Sequence, residues 1–456
     1  MSTPNNNLLT RLECGFLSQR QLLQGIVFTL GMLVMQPNLR SAEPNNETRR
    51  ATQFEFQEQT ITNEKVTYSK DVLPQGIRSR FVNNVNGLNI HILEAGFETE
   101  NRPCVLLLHG FPELAYSWRK VMLPLAEAGY HVVAPDQRGY GRTTGWDPDY
   151  DGDLASYRRL NIVRDALGLV SALGYHSVAA VVGHDFGSPI AAWCAVSRPD
   201  VFRSVVLMSA PFSGTPELPF DTANNQHAAT DLTKASRLSD DLAALPSPRK
   251  HYQEYYKTRE ANDNMRNAPQ GIHAFLRAYY HFKSADWEGN KPFTLKDRTA
   301  DQMSKMPRYY IMDLDKGMAE SVNREMPTAT EISSCKWLTE DELRIYSEEF
   351  ERTGFQGGLQ WYRSGSVGSA EMQLFAGRTI DQPSLFIAGA NDWGSYQSPG
   401  ALERMQNSAC TNMQGVHMVN DAGHWVQQEQ PKAVSNLLLE FLQKLNQSKS
   451  SQLKIR

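Results

Sequence analysis

Cysteine is scarce in this chain: five among 456 residues, at Cys14, Cys104, Cys194, Cys335 and Cys410. The number is odd and the spacing is not that of metal ligands, which excludes a disulfide framework and a zinc knuckle as the basis of the fold. Cys104 and Cys194 lie inside apolar runs and read as core. No apolar run reaches the ~17–25 residues of a membrane-spanning helix. No stretch is repetitive or of low complexity, so solenoids and arrays are excluded. Lys and Arg number 46 against 50 Asp and Glu, interspersed along the chain for a net charge of -4. There is thus no basic stripe to bind a phosphate backbone, and nucleic acid is not an expected partner. What is present is a 41% hydrophobic and 21% charged composition, ordinary for a globular enzyme with a sizeable core.

The apolar stretch that comes nearest to a membrane signal is Leu22 to Met35, behind Arg11 and Arg20. It is compatible with a late-starting signal peptide, a short membrane anchor or an amphipathic helix, while Arg40 before Ser41-Ala42 spoils a small-residue cleavage site. Localisation is therefore read as cytoplasmic or as membrane-associated through 22–35. An Asn-Glu-Thr acceptor at Asn46 matters only if this end is lumenal. Residues 1–74 form an N-terminal extension rich in Asn, Gln, Thr and Glu, expected to wrap the core or stay mobile.

From residue 75 onward, β-branched and leucine-rich runs alternate with helix-period segments, the pattern of a mostly parallel sheet covered on both faces. Val105 to Leu108, His131 to Ala134, Val178 to Val182 and Ser204 to Ser209 are expected strands. Ile162, Val163, Ala166, Leu167, Val170 and Leu173 recur at helical spacing before Gly174, a natural stop. The rhythm fails over residues 214–376, which are polar, aromatic and helix-prone without convincing strands, as in an inserted domain. It resumes with strands at Ser384 to Ala388 and Val416 to Val419, then a helix opened by Pro431 with Val434, Leu437, Leu438, Phe441, Leu442 and Leu445 on one face. The expected organisation is a core in two halves, 75–213 and 377–446, around the insertion, with a tail at 447–456.

Gly183-His184-Asp185-Phe186-Gly187 directly follows an expected strand and precedes the helical-looking Pro189 to Val196. Small residues two positions either side of Asp185 suit a tight strand-to-helix turn that lifts its carboxylate from the sheet edge, near a helix N-terminus that favours an anion. A plain glycine-rich turn with a capping Asp is the alternative for this segment alone. His109-Gly110-Phe111-Pro112-Glu113 follows an earlier strand, and the N–H groups of Phe111 and Phe186 would together make an oxyanion hole. His424, in Asp421-Ala422-Gly423-His424-Trp425, is the one histidine expected on a loop at the same sheet edge; His109 and His184 read as packing groups. Asp392, after the strand Ser384 to Ala388, completes the chain order of nucleophile, acid and base, whereas Asp136 reads as a turn former.

These motifs together resemble the α/β-hydrolase-fold epoxide hydrolases over roughly residue 75 to the C-terminal helix. The resemblance implies that the insertion is a mainly helical cap and that two cap tyrosines stand over the nucleophile. Gly358-Leu359-Gln360-Trp361-Tyr362-Arg363 is similar to the family's Asn-Trp-Tyr-Arg segment, with Gln for Asn, and points to Tyr362. His251-Tyr252-Gln253-Glu254-Tyr255-Tyr256 is similar to its Tyr-Gln-x-Tyr run and points to Tyr252, with Tyr255 and Tyr256 as alternatives. The chain departs from the family in having Phe186 where Trp is common, which leaves the backbone donor intact but alters the fit around the reacting carbon.

An aspartate at such an elbow is ionised at neutral pH and can displace at saturated carbon without a base. The expected partners are a small-molecule epoxide and water, with no cofactor and no metal. Asp185 forms an alkyl ester, which water activated by His424 then hydrolyses, while the tyrosines donate to the epoxide oxygen. A haloalkane or haloacid dehalogenase uses the same Asp-His-Asp set, but halide prefers indole or amide donors to paired phenols. A non-catalytic binding protein and an ester hydrolase that lost its serine are the remaining readings, and the full complement of groups weighs against both.

Overall fold

A computed structural model of the chain describes residues 67–69, 71–218, 237–365 and 369–453. The contacts divide the chain into Met1–Thr62 and Asn63–Arg456. All described residues belong to the second unit; the segment 22–35, Cys14, Asn46 and nearly all of the N-terminal extension lie outside them. In chain order the strands are β1 (Ile77–Val85), β2 (Leu88–Ala95), β3 (Cys104–Leu108), β4 (His131–Pro135), β5 (Ala180–His184), β6 (Val205–Met208), β7 (Arg249–His251), β8 (Ile311–Asp313), β9 (Ser384–Gly389) and β10 (Met413–Val419).

Eight of these form one sheet in the order β1-β2-β4-β3-β5-β6-β9-β10. From β4 to β10 every neighbouring pair is parallel, and β1 and β2 add an antiparallel edge. Every residue of β3, β4, β5 and β6 is buried, because parallel strands covered by helices on both faces must be apolar along their whole length. In the register, Leu106 lies opposite Val133 and Val181. The helix Arg159–Ala172 buries Ile162, Val163, Ala166, Leu169 and Val170, and Gly174 follows it with a φ of 85°. Together these elements are an α/β-hydrolase sheet.

Three features of the core differ from the sequence expectation. The hairpin β1-β2 was not expected, since polar Arg78, Arg80, Asn83 and Asn84 break its apolar run; its signal is Asn86-Gly87, with φ of 51° and 81°, the conformation that a two-residue hairpin turn requires. β5 is displaced from Val178–Val182 to Ala180–His184, so that Asp185 is the first residue past the strand. The helix Pro431–Leu453 runs beyond residue 446, where a tail was expected.

The insertion is mainly helical, as the family resemblance implies, with Tyr252–Tyr256, Ile272–Lys283, Glu340–Thr353 and Gln356–Ser364 among its helices. It also contains an antiparallel strand pair, β7 with β8, contrary to the strand-free reading. Arg249-Lys250-His251 is too short and too polar to show alternation, and its partner lies some sixty residues away, so no local pattern announces it. Insertion and core are joined by buried polar contacts. Arg119 donates to Glu342 and Gln428, and the Ser117 and Tyr346 hydroxyls are 2.8 Å apart.

Candidate active site

Asp185 occupies the turn between β5 and the helix Gly187–Ser197, with a φ of 51°. The glycines around it are required by close backbone approach. A Cβ on Gly183 would lie 2.0 Å from the Gly187 carbonyl oxygen, one on Gly187 2.2 Å from that of Leu108, and one on Gly110 2.3 Å from the Asp185 Cβ. The Phe111 N–H donates to Asp185 Oδ1 at 2.9 Å, which fixes one carboxylate oxygen against the turn after β3. The Phe186 N–H, the other expected donor, starts the following helix and makes no hydrogen bond to Asp185 among the described contacts.

His424 reaches the same place from the loop after β10. Its Nε2 is 3.3 Å from Asp185 Oδ2, in an orientation that forms no hydrogen bond, and its Nδ1 is 3.1 Å from Asp392 Oδ1. Asp392, after β9, also accepts the Gly394 N–H at 2.7 Å. The Nδ1–H tautomer of His424 is the one this carboxylate demands, leaving Nε2 with a lone pair toward the chamber. Burial alone would push the Asp185 carboxyl up; proximity to His424, with Lys283 and His184 adding positive charge, holds it well below the usual carboxylate range. Asp392 is likewise pushed up by burial but held low by His424 and the Gly394 N–H.

Above the carboxylate, the Tyr362 ring packs edge-on against Phe186 at 4.5 Å and Phe111 at 5.6 Å, and the Tyr252 ring is 6.0 Å from it. Burial, with the negative charge of Asp185 adding to it, raises both phenols well above their ordinary value, so they keep their protons. Of the two alternatives, Tyr256 packs against Tyr362 and Phe111 at 5.0 and 5.2 Å but donates its hydroxyl to that of Tyr279, whereas Tyr255 lies under Lys250 and feels Glu320 and Glu260. Beside Phe186, a cavity of about 510 Å³ is lined by Ile190, Trp193, Phe212 and Trp361 among others.

His184, read from the sequence as a packing group, is instead a hydrogen-bonding member of the site, and Glu429 and Lys283 have no counterpart in the sequence reading. His184 and Glu113 form a buried pair, with Nδ1 2.6 Å from Oε2, and His184 Nε2 is 2.7 Å from the His424 carbonyl oxygen. Glu429 accepts the N–H groups of Ala285, Gly423 and Trp425 and so braces the His424 loop against the insertion. Lys283, at the end of the helix Ile272–Lys283, accepts the His424 N–H through its backbone carbonyl, and its side chain is 3% exposed. Burial lowers the pKa of its amine, while Asp185, Asp392 and Glu113 act to raise it. A lysine closing a helix reads in sequence only as a partner for the helix dipole, so nothing local signals its burial. Asp136, read as a turn former, is buried and accepts the N–H groups of Ala115 and Arg142 with His91 at 2.7 Å, which is that role.

A parallel sheet with a carboxylate at the elbow after β5 and a His-Asp pair on later loops defines an α/β hydrolase, and residues 103–431 match the model of the alpha/beta hydrolase fold family. The chain is 33% identical over 365 residues to epoxide hydrolase B of Mycobacterium tuberculosis, covering 79% of this chain and 96% of that one. It is 29% identical over 371 residues to epoxide hydrolase 3 of Siraitia grosvenorii, covering 79% and 97%. Among solved structures, an epoxide hydrolase from an endophytic Streptomyces superposes with a TM-score of 0.65 at 32% identity over 82% of this chain and 97% of its own. A mutant of potato epoxide hydrolase does so with 0.61 at 29% identity over 81% and 99%. The chain belongs to the epoxide hydrolases of the α/β-hydrolase fold.

Proposed function

We propose that this enzyme hydrolyses an epoxide to a vicinal diol through a covalent ester on Asp185. The observation that carries the reading is the division of labour on one carboxylate: Oδ1 is held by the Phe111 N–H, while Oδ2 lies 3.3 Å from His424 Nε2, with the Tyr362 ring packed on the neighbouring Phe111 and Phe186 and the Tyr252 ring 6.0 Å from it. Oδ2 attacks an epoxide carbon, the carbon–oxygen bond of the ring breaks, and the departing oxygen takes a proton from a phenol. His424 Nε2 then takes a proton from water, whose hydroxide adds to the ester carbonyl carbon. The oxyanion forms on Oδ1, against the Phe111 donor and the nearby Phe186 N–H. Collapse expels the diol, whose oxygen takes the proton from the His424 imidazolium, and the acid proton left on Asp185 passes to the phenolate, restoring the carboxylate, the imidazole and the phenol. Asp392 holds the imidazole in the tautomer that the base step needs.

Phenols kept protonated by burial suit an alkoxide leaving group. The indole N–H groups of Trp361 and Trp425 are given to the carbonyls of Arg138 and Tyr280, and the Tyr252 hydroxyl donates to Gln397 Oε1 at 3.3 Å, a long bond that an epoxide oxygen would replace. The cavity beside Phe186 offers room for an apolar substituent.

Single turnover of styrene oxide in ¹⁸O-labelled water tests the mechanism: label is expected on the Asp185 carboxylate as well as in the diol after repeated turnover. Label in the diol alone, with none on the enzyme, would exclude the ester. Asp185→Ala is expected to form no adduct and no diol, and halide release from haloalkanes without epoxide turnover would transfer the chain to dehalogenation.

A further inference from the structure

Lys283 takes no part in the bond-making steps proposed above, although it acts electrostatically on Asp185. Its amine makes no hydrogen bond and has no carboxylate within 4.0 Å among the described residues. A buried ammonium is normally paired, and this one is surrounded instead by the faces of Tyr279, Tyr310, Trp425 and Tyr309 at 5.4, 5.2, 5.2 and 5.9 Å. Those rings fix its position in the chamber. Trp425 meets His424 edge-on, with ring centroids 4.7 Å apart, and Tyr310 lies 5.1 Å from the Tyr252 ring. The ammonium therefore stands on the flank between the base and the first phenol.

Other polar atoms around this flank are also unpartnered. The Tyr310 hydroxyl, Asp392 Oδ2 and His424 Nε2 are all buried without a hydrogen bond. Buried polar atoms ordinarily find a partner, so each of these calls for one. His424 Nε2 has water as its guest in the proposed reaction. Lys283 offers N–H donors and Tyr310 one further O–H; two donors of this kind match an acceptor-only group.

We propose that Lys283, with the Tyr310 hydroxyl, is a specificity-determining subsite for a carboxylate borne next to the oxirane, so that 2,3-epoxy acids are preferred substrates. The inference rests on the epoxide-opening reaction. An anion at this point would lie near Asp185, and the lysine is placed to offset the repulsion between the two. The aromatic faces around the amine hold it in place without accepting its N–H groups in ordinary hydrogen bonds, which leaves those donors for the ligand.

The test compares 3-phenylglycidate with its neutral amide, 3-phenylglycidamide, in the full-length enzyme. The wild type is expected to favour the acid in kcat/KM by about ten- to a hundred-fold, mainly through KM. Lys283→Met is expected to bring that ratio to unity or below, and Lys283→Arg to restore part of it. Equal handling of acid and amide by the wild type would overturn the proposal, as would a ratio unchanged in Lys283→Met or an equal loss on both substrates. If Lys283→Met does not fold, product inhibition of the wild type decides: phenylglycerate must bind more tightly than phenylglyceramide, and equal inhibition overturns the subsite. Turnover of styrene oxide without acid preference removes the subsite alone, whereas absence of turnover on all three epoxides removes the reaction and the subsite together.

Discussion

Two imidazole–carboxylate pairs stand side by side in this chamber, their imidazole centroids 5.1 Å apart, and they are finished differently. In the His184–Glu113 pair every polar atom is occupied. Glu113 Oε2 accepts from Gly110 and His184, its Oε1 accepts from Gln427 and Gln428, and the second nitrogen of His184 donates to the His424 carbonyl. Because His184 faces an acceptor on each side, both its nitrogens carry protons and the pair is ionic; burial opposes this, but Glu113 raises the imidazole and is itself held low by it. In the His424–Asp392 pair, Nε2 and Oδ2 are left without partners. The same residue types thus make a brace in one loop and a candidate base in the next. What separates them is the number of unsatisfied atoms, because only an unpartnered lone pair in a buried site can take up water or substrate.

The comparison breaks most sharply at His424. His424→Gln is expected to let the ester form and to block its hydrolysis, lowering steady-state turnover by roughly 10³-fold or more while a mass increment equal to the epoxide builds up on the protein. Intact-mass spectrometry after mixing reads this directly; steady turnover without adduct would return His424 to the class of His184. The brace should fail in the other currency. Glu113→Gln leaves a buried imidazolium unpaired and is expected to cost about 3–5 kcal/mol of stability in urea unfolding, whereas Asp392→Asn should lower turnover far more than stability. Equal stability losses for the two variants would erase the distinction drawn between the pairs.

Tyr252→Phe and Tyr362→Phe sharpen the picture of the insertion. Each is expected to slow ester formation by about ten- to a hundred-fold, with the double variant lower still, while Tyr256→Phe should change it little. Rapid-quench measurement of the alkylation step checks this. The smallest effect is on pH. Glu113, Asp185 and Asp392 have folded-state values below those of the unfolded chain, so protonation favours unfolding and their contribution is lost as pH falls below about 4. His184 has a raised value, so its contribution is complete below about pH 6.5 and declines as pH rises through the folded-state value. Urea midpoints across pH should therefore show an alkaline decline that is absent in His184→Gln.

Much of the core could be read in advance because its causes are local. Val105 to Leu108 and Ser204 to Ser209 announce buried strands by composition, and Gly183-His184-Asp185-Phe186-Gly187 announces its turn by the absence of side chains where Gly187 meets Leu108. The order Asp185, Asp392, His424 then follows from strand order, since each lies just past a parallel strand's end at one edge. The insertion was less legible. Its aromatic helices give no periodic clue to which of Tyr252, Tyr255 and Tyr256 faces the sheet, and β7 pairs with a strand far along the chain.

The sequence alone determined the sheet, the elbow and the chemical identity of the groups at its edge, because alternation, glycine placement and ionisation are properties of short segments. Only the tertiary structure decided which lysine is buried with no carboxylate in direct contact, and which histidine has both ring nitrogens bonded and which does not. Those outcomes depend on neighbours contributed by Ile272–Lys283, β8 and the loop after β10, far apart in the chain, and a hydrogen bond left unmade can be recognised only when every possible partner has been placed.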